Sequence, residues 1–149
     1  MKKKFSTILV SVLFICAMVL PTSAAQQIDR TSKVSYAECG PIEVETTLTV
    51  YESGARSNSR RANVTNTYKN NGKVIAEVTL SATFGYDGKT AWVISASGSH
   101  TTYDGWSYGS EKIGKSNGTA SLSAALDHSY YAGISVDISL TCSPTGQIS

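Results

Sequence analysis

The side chains best able to bind a metal or attack a substrate are few in this 149-residue chain, which holds three cysteines and two histidines. His100 and His128 are separated by a whole hairpin, and no H-E-x-x-H or Cys-x-x-Cys spacing accompanies them. A zinc site needs several such ligands converging, so no metal site and no cofactor is expected. Gly105-Trp106-Ser107-Tyr108-Gly109 matches the G-x-S-x-G pattern of a serine nucleophile. That motif works on a sharp strand-to-helix turn, with an acid and then a histidine further along the chain. Here no helical periodicity follows, and Asp127 and His128 are neighbours whose side chains diverge on an extended backbone. Paired carboxylates could hydrolyse glycosides. Glu43 and Glu45 share a face two residues apart, but on a strand with no sign of a cleft, and the other acids stand singly. No catalytic residue is assigned, and the chain is read as a non-enzyme.

A binding surface is better supplied. His100, Tyr103, Asp104, Trp106, Ser107 and Tyr108 fall within a short stretch punctuated by glycines, whose alternation is too weak to bury every ring. Aromatic faces beside hydrogen-bonding groups suit sugar rings and flat protein epitopes alike. Tyr103, Trp106 and Tyr108 are therefore the candidate ligand contacts. The competing expectation is structural: Trp106 plugs one end of the fold while the tyrosines coat its rim.

The N-terminus suggests a compartment. Lys2 to Lys4 make a positive n-region, Phe5 to Leu20 an apolar run, and Pro21-Thr22-Ser23-Ala24-Ala25 a break followed by small residues. This is the pattern of an export signal over residues 1–25, with cleavage after Ala24 or Ala25. Without those residues the apolar fraction falls from 41% to about 36%. The charge balance changes from 13 basic against 11 acidic side chains to slightly acidic, because Lys2, Lys3 and Lys4 leave. A near-neutral chain without basic clustering is not expected to bind nucleic acid. No further apolar run could span a bilayer, so the mature chain is expected to be secreted and extracellular, with no membrane span. Removal of Cys16 leaves Cys39 and Cys142, and an even pair in an oxidising compartment is expected to form a disulfide.

The elements that must carry these residues read as strands. Residues 26–38 are polar and suggest a flexible N-terminal arm before a single domain over 39–149. Ile42, Val44, Thr46, Leu48 and Val50 alternate with polar neighbours, as do Ile134, Val136, Ile138 and Leu140. Val74 to Tyr86 carries the longest alternation, and Ala91 to Ile94 is apolar on both parities. About seven strands and no obligatory helix predict an antiparallel two-sheet β-sandwich of immunoglobulin-like size, with a small closed barrel as the alternative. Parity suggests three-residue loops at Asn70-Asn71-Gly72 and Tyr86-Asp87-Gly88. These would pair Tyr68 with Val74, Val64 with Val78, Ala62 with Leu80 and Ala82 with Trp92, turning Trp92 toward the core.

The exported precursor, the Thr83-Phe84-Gly85-Tyr86-Asp87-Gly88 stretch, a tryptophan downstream and the closing Leu140-Thr141-Cys142-Ser143 together are similar to small secreted β-rich proteins, themselves uncharacterised, of Gram-positive bacteria of the clostridial kind. The resemblance implies a β-rich extracellular domain and supplies no site residues. The function expected is a non-catalytic extracellular binding module for a glycan, cell-wall or protein ligand. The alternative is a secreted effector, such as a bacteriocin-like antimicrobial or an inhibitor.

Overall fold

In the computed structural model, residues 25–37, 40–52 and 58–149 are described, and they form eight antiparallel strands without a helix. The five-stranded sheet runs β1 (Ala25–Ala37), β2 (Gly40–Tyr51), β3 (Ser59–Asn70), β4 (Lys73–Tyr86) and β5 (Ala91–Thr102). The three-stranded sheet runs β6 (Ser107–Ser116), β7 (Thr119–His128) and β8 (Tyr131–Thr141). The all-β, two-sheet architecture expected from the alternating runs is the one adopted. Each hydrogen-bonded neighbour is also the neighbour in sequence, so the strands meander. Immunoglobulin domains connect theirs as Greek keys, and the comparison with them extends to size alone.

The core lies between the sheets because every alternating run turns its apolar parity inward. Val78, Leu80 and Phe84 of β4 are fully buried, as are Leu126 of β7 and Val136 of β8. β8 lies over β3, β7 over β4, and β5 and β6 meet along one side. Five strands thus face three. The surplus falls at β1 and β2, which project beyond the smaller sheet, so Val44 and Leu48 are only partly covered at the margin of the core.

The polar segment expected to be a loose arm is instead β1, paired along β2 from Ala25 opposite Tyr51 to Ala37 opposite Gly40. Its backbone is satisfied by β2 on one side, and its sequence lacks alternation because no core lies beneath it: Thr31 to Val34 are all exposed. Charged and hydroxyl side chains on an edge strand also discourage pairing with other chains. Of the expected export signal, residues 1–24 lie outside the described residues, and Ala25 opens β1.

Both hairpins depart from the expected register, and for one physical reason. Asn71 and Gly72 take positive φ values of 50° and 78°, the two-residue turn that matches strand twist. Tyr68 therefore pairs with Ala76, Val64 with Leu80 and Ala62 with Ala82. The parity that a two-residue turn would upset is restored by a bulge, in which Ile75 is the extra residue between Val74 and Ala76. Ile75 and Ala76 are consequently both buried. In the second hairpin the loop is Asp87 to Thr90, with Tyr86 opposite Ala91 and Gly85 opposite Trp92. A bulge at Ile94 then returns Ala82 to Ala96 and Leu80 to Gly98. Trp92 thus lies on the solvent face, 44% exposed, correcting the expectation that it faces the core. Its ring covers Gly85, where an added Cβ would clash with the Trp92 indole.

The second loop is held by one carboxylate. Asp87 Oδ1 accepts from the Thr90 N–H at 2.7 Å, the Lys89 N–H at 2.9 Å and the Thr90 hydroxyl at 3.2 Å. The Thr90 amide, then the Lys89 amide, hold its carboxyl below the usual aspartate range. The loop's contribution to folding is therefore complete above the ordinary aspartate value and is lost as pH falls through the lowered one. Acid titration by NMR is expected to move the Lys89 and Thr90 amide resonances together with the Asp87 carboxyl. In Asp87→Ala the two amides should show no such coupled step; a step surviving the substitution would assign it to another group.

The bridge expected between Cys39 and Cys142 joins a residue outside the described ones to a residue within them. Cys39 lies outside the described residues, while Cys142 carries a free, buried thiol that burial pushes above its ordinary pKa. Cys142 donates its backbone N–H to Gly118 at 2.8 Å, and a Cβ on Gly118 would meet Ala91, so Cys142 sits at the end where β4 finishes. Gly40 opens β2 at the opposite end, level with the Asn71-Gly72 turn.

Candidate functional site

The aromatic residues singled out in the sequence fall at one end of the sandwich, on the turn between β5 and β6. That turn is tight because Asp104 and Gly105 both take positive φ, 54° and 80°, and the Trp106 N–H returns to the Tyr103 carbonyl at 3.0 Å. The Tyr103 N–H donates to Ile75 at 2.9 Å and so fixes the turn against β4. Lys73 and Asp104 form an ion pair at 3.0 Å that is mostly exposed and so adds little stability.

The three expected contacts have three different environments. Trp106 is 6% exposed and belongs to the core, which is the plug that the competing expectation described. Tyr103 is 43% exposed, with its hydroxyl 3.5 Å from Glu77 Oε2. Tyr108 lies where β5 and β6 meet, stacked on His100 at 3.9 Å between ring centroids. It donates to Glu111 at 2.6 Å, and burial followed by that carboxylate raises its pKa. Tyr108 is thus occupied within the fold.

What sequence reasoning missed is the partner loop. His128 ends β7 and Tyr131 opens β8, and this turn stands beside Trp106. His128 lies 5.2 Å from Trp106, 4.7 Å from Tyr131 and 5.8 Å from Tyr130, between ring centroids. The imidazole is locked at both nitrogens. Nδ1 accepts the Tyr130 N–H at 3.1 Å, which leaves the proton on Nε2 to donate to the Asp104 carbonyl at 3.2 Å. His128 therefore ties the two loops together, and Gly105 leaves room for it, since a Cβ there would stand 3.2 Å from Nε2. Outward from the buried Trp106 the rings become progressively exposed: Tyr131 is 46% and Tyr130 87% accessible. The available signal was a histidine followed by two tyrosines at the turn between two clearly alternating strands.

The other chemistry considered from sequence is arranged differently. Ser107, the central residue of G-x-S-x-G, stands at the start of a strand and donates to the Asp127 carbonyl at 3.2 Å. Its hydroxyl is committed as a donor to backbone, and no helix follows. Among the described residues no three His, Cys, Asp or Glu side chains form a group that could hold a metal ion. Trp92, turned outward by the register of β5, is a further exposed aromatic residue. It lies at the far end from the His128 cluster, beside the Asp87 loop.

Fold and site together define a class: an antiparallel meander sandwich bearing a histidine-centred aromatic cluster on two adjoining loops. No protein family, curated protein or solved structure matches the chain.

Proposed function

We propose that this chain is exported and acts outside the cytoplasm as a non-catalytic binding module that recognises saccharide units of a cell-wall or surface glycan. The export pattern of residues 1–25 supports the compartment. The observation that carries the binding reading is the graded cluster Trp106–His128–Tyr131–Tyr130, rigid at its base and open at its tip. Exposed ring faces backed by a fixed scaffold cover apolar sugar faces, and the tyrosine hydroxyls can meet sugar hydroxyls. Rigid anchors also lose little rotamer freedom when they bind. The placement on turns at one end of a sandwich matches how such scaffolds present recognition loops.

The test is a pull-down of the mature protein on insoluble peptidoglycan, repeated with Tyr130→Ala and Tyr131→Ala together. Both side chains are exposed, so the fold should survive, as far-UV circular dichroism would check. Binding is expected to fall by roughly tenfold or more, the scale of losing central aromatic anchors. Undiminished binding by a folded double variant would overturn the assignment.

A further inference from the structure

A second surface, independent of the aromatic end, arises from the mismatch between five strands and three. β8 closes the smaller sheet, and it has β7 on one side only. Beyond its other edge lies a groove of about 480 Å³ over the uncovered faces of β2 and β3. Val44, Thr46, Val64 and Asn66 line its floor, and Thr31 and Lys33 of β1 stand on the far side. The floor is ordered by hydrogen bonds, with Thr46 donating to Asn66 Oδ1 at 2.8 Å and Asn66 Nδ2 reaching the Tyr68 hydroxyl at 3.4 Å.

The backbone of β8 is set for a further strand. Cys142 donates toward β7, to Gly118, whereas Thr141 exchanges two hydrogen bonds with Ser149 at 2.8 and 2.9 Å on the opposite side. The alternation of an antiparallel strand then directs the N–H and C=O of Ser139, Asp137 and Ser135 to that same outer side. The tail at Ile148 and Ser149 already pairs with the upper end of this edge, and the groove continues past Ser149 along Ser139 and Leu140. The edge from Ser139 to Ser135 extends that pairing line by five residues, about 17 Å at 3.4 Å each.

Charge selects the occupant. Asp137 is exposed in the middle of this edge, accepts the Ser135 hydroxyl at 3.0 Å, and pairs with no cation among the described residues. A second copy pairing antiparallel about the centre of this edge would set Asp137 against Asp137, and directly opposed like charges are destabilising. A cation there continues the row in which Lys112 pairs with Ser123 and Ser123 with Asp137. We propose that the β8 edge and its groove form a strand-addition site for an extended polypeptide segment, with a lysine or arginine opposite Asp137 and apolar residues at the flanking positions that face Val44 and Val64. Main-chain hydrogen bonds supply affinity and the side-chain pattern supplies specificity, as in other sheet-edge recognition.

The experiment uses the full mature chain and two capped peptides, acetyl-Thr-Val-Lys-Val-Thr-amide and the same sequence with Glu in place of Lys. Amide hydrogen exchange and titration calorimetry are the readouts. The lysine peptide is expected to bind about tenfold more tightly, from one attractive cross-strand pair replacing one repulsive pair. It should slow exchange at the amides of Ser135, Asp137 and Ser139. Asp137→Lys, an exposed substitution, should reverse the preference between the peptides. Equal binding of both peptides, or protection that appears at His128 to Tyr131 instead, would overturn the proposal. So would concentration-dependent dimerisation of the unliganded protein that protects these same amides, because the occupant would then be a second copy.

Discussion

Phe84→Ala is expected to lower stability by about 3–5 kcal/mol, the usual range for emptying a buried phenylalanine site. Phe84 is fully buried and heads the largest enclosed side chains, in a strand with neighbours on both sides. Its site is flanked by fixed strands rather than a loop, so collapse into the space is limited and the cost should fall in the upper part of that range. Folded domains hold only about 5–15 kcal/mol in total, so the variant should be largely destabilised at physiological temperature. Urea unfolding is the measurement, with a lower midpoint at unchanged slope as the expected result. Trp92→Ala is the informative companion. With Trp92 on the outer face above Gly85, its removal should cost about 1 kcal/mol. A Trp92→Ala cost equal to that of Phe84→Ala would mean that β5 is shifted and that Trp92 faces the core.

Trp106→Ala is the second large effect, because it acts on stability and on the proposed binding surface together. Trp106 is nearly enclosed, and removal of such a side chain costs about 3–5 kcal/mol. It is also the base on which His128 and Tyr131 are stacked. Trp106→Phe keeps part of the volume, so it should recover much of the stability while leaving the rings above it less firmly held. Thermal unfolding of both variants beside peptidoglycan binding separates the two roles. Full binding by a folded Trp106→Ala protein would remove Trp106 from the account of the site.

Strand existence was largely legible because alternation reports a buried face directly. Residues 76–84 and 134–140 show it without interruption, and both runs lie in strands with the expected face inward. β1 was not legible for the complementary reason: an edge strand without core beneath it has no alternation to display. Register depended on bulges. Ile75 and Ile94 each absorb one residue inside a strand, so parity arguments that located the adjustment in the turn kept the face of Tyr68 but displaced its partner from Val74 to Ala76. At Trp92, which lies between the turn and the bulge, the same error changed the face. The site was half visible. Trp106 belonged to a conspicuous aromatic stretch, whereas His128, Tyr130 and Tyr131 are more than twenty residues away and join it only because β6 and β7 form a hairpin.

The central claim is that the exposed rings of the two adjoining loops form the recognition surface. The most direct measurement is an NMR titration of the mature protein with soluble peptidoglycan fragments, following backbone amides and aromatic ring resonances. The account predicts saturable shifts concentrated at His128, Tyr130 and Tyr131, with smaller changes at Trp106 beneath them. Shifts confined to the face around Trp92, or no saturable shift at the His128 turn, would contradict it.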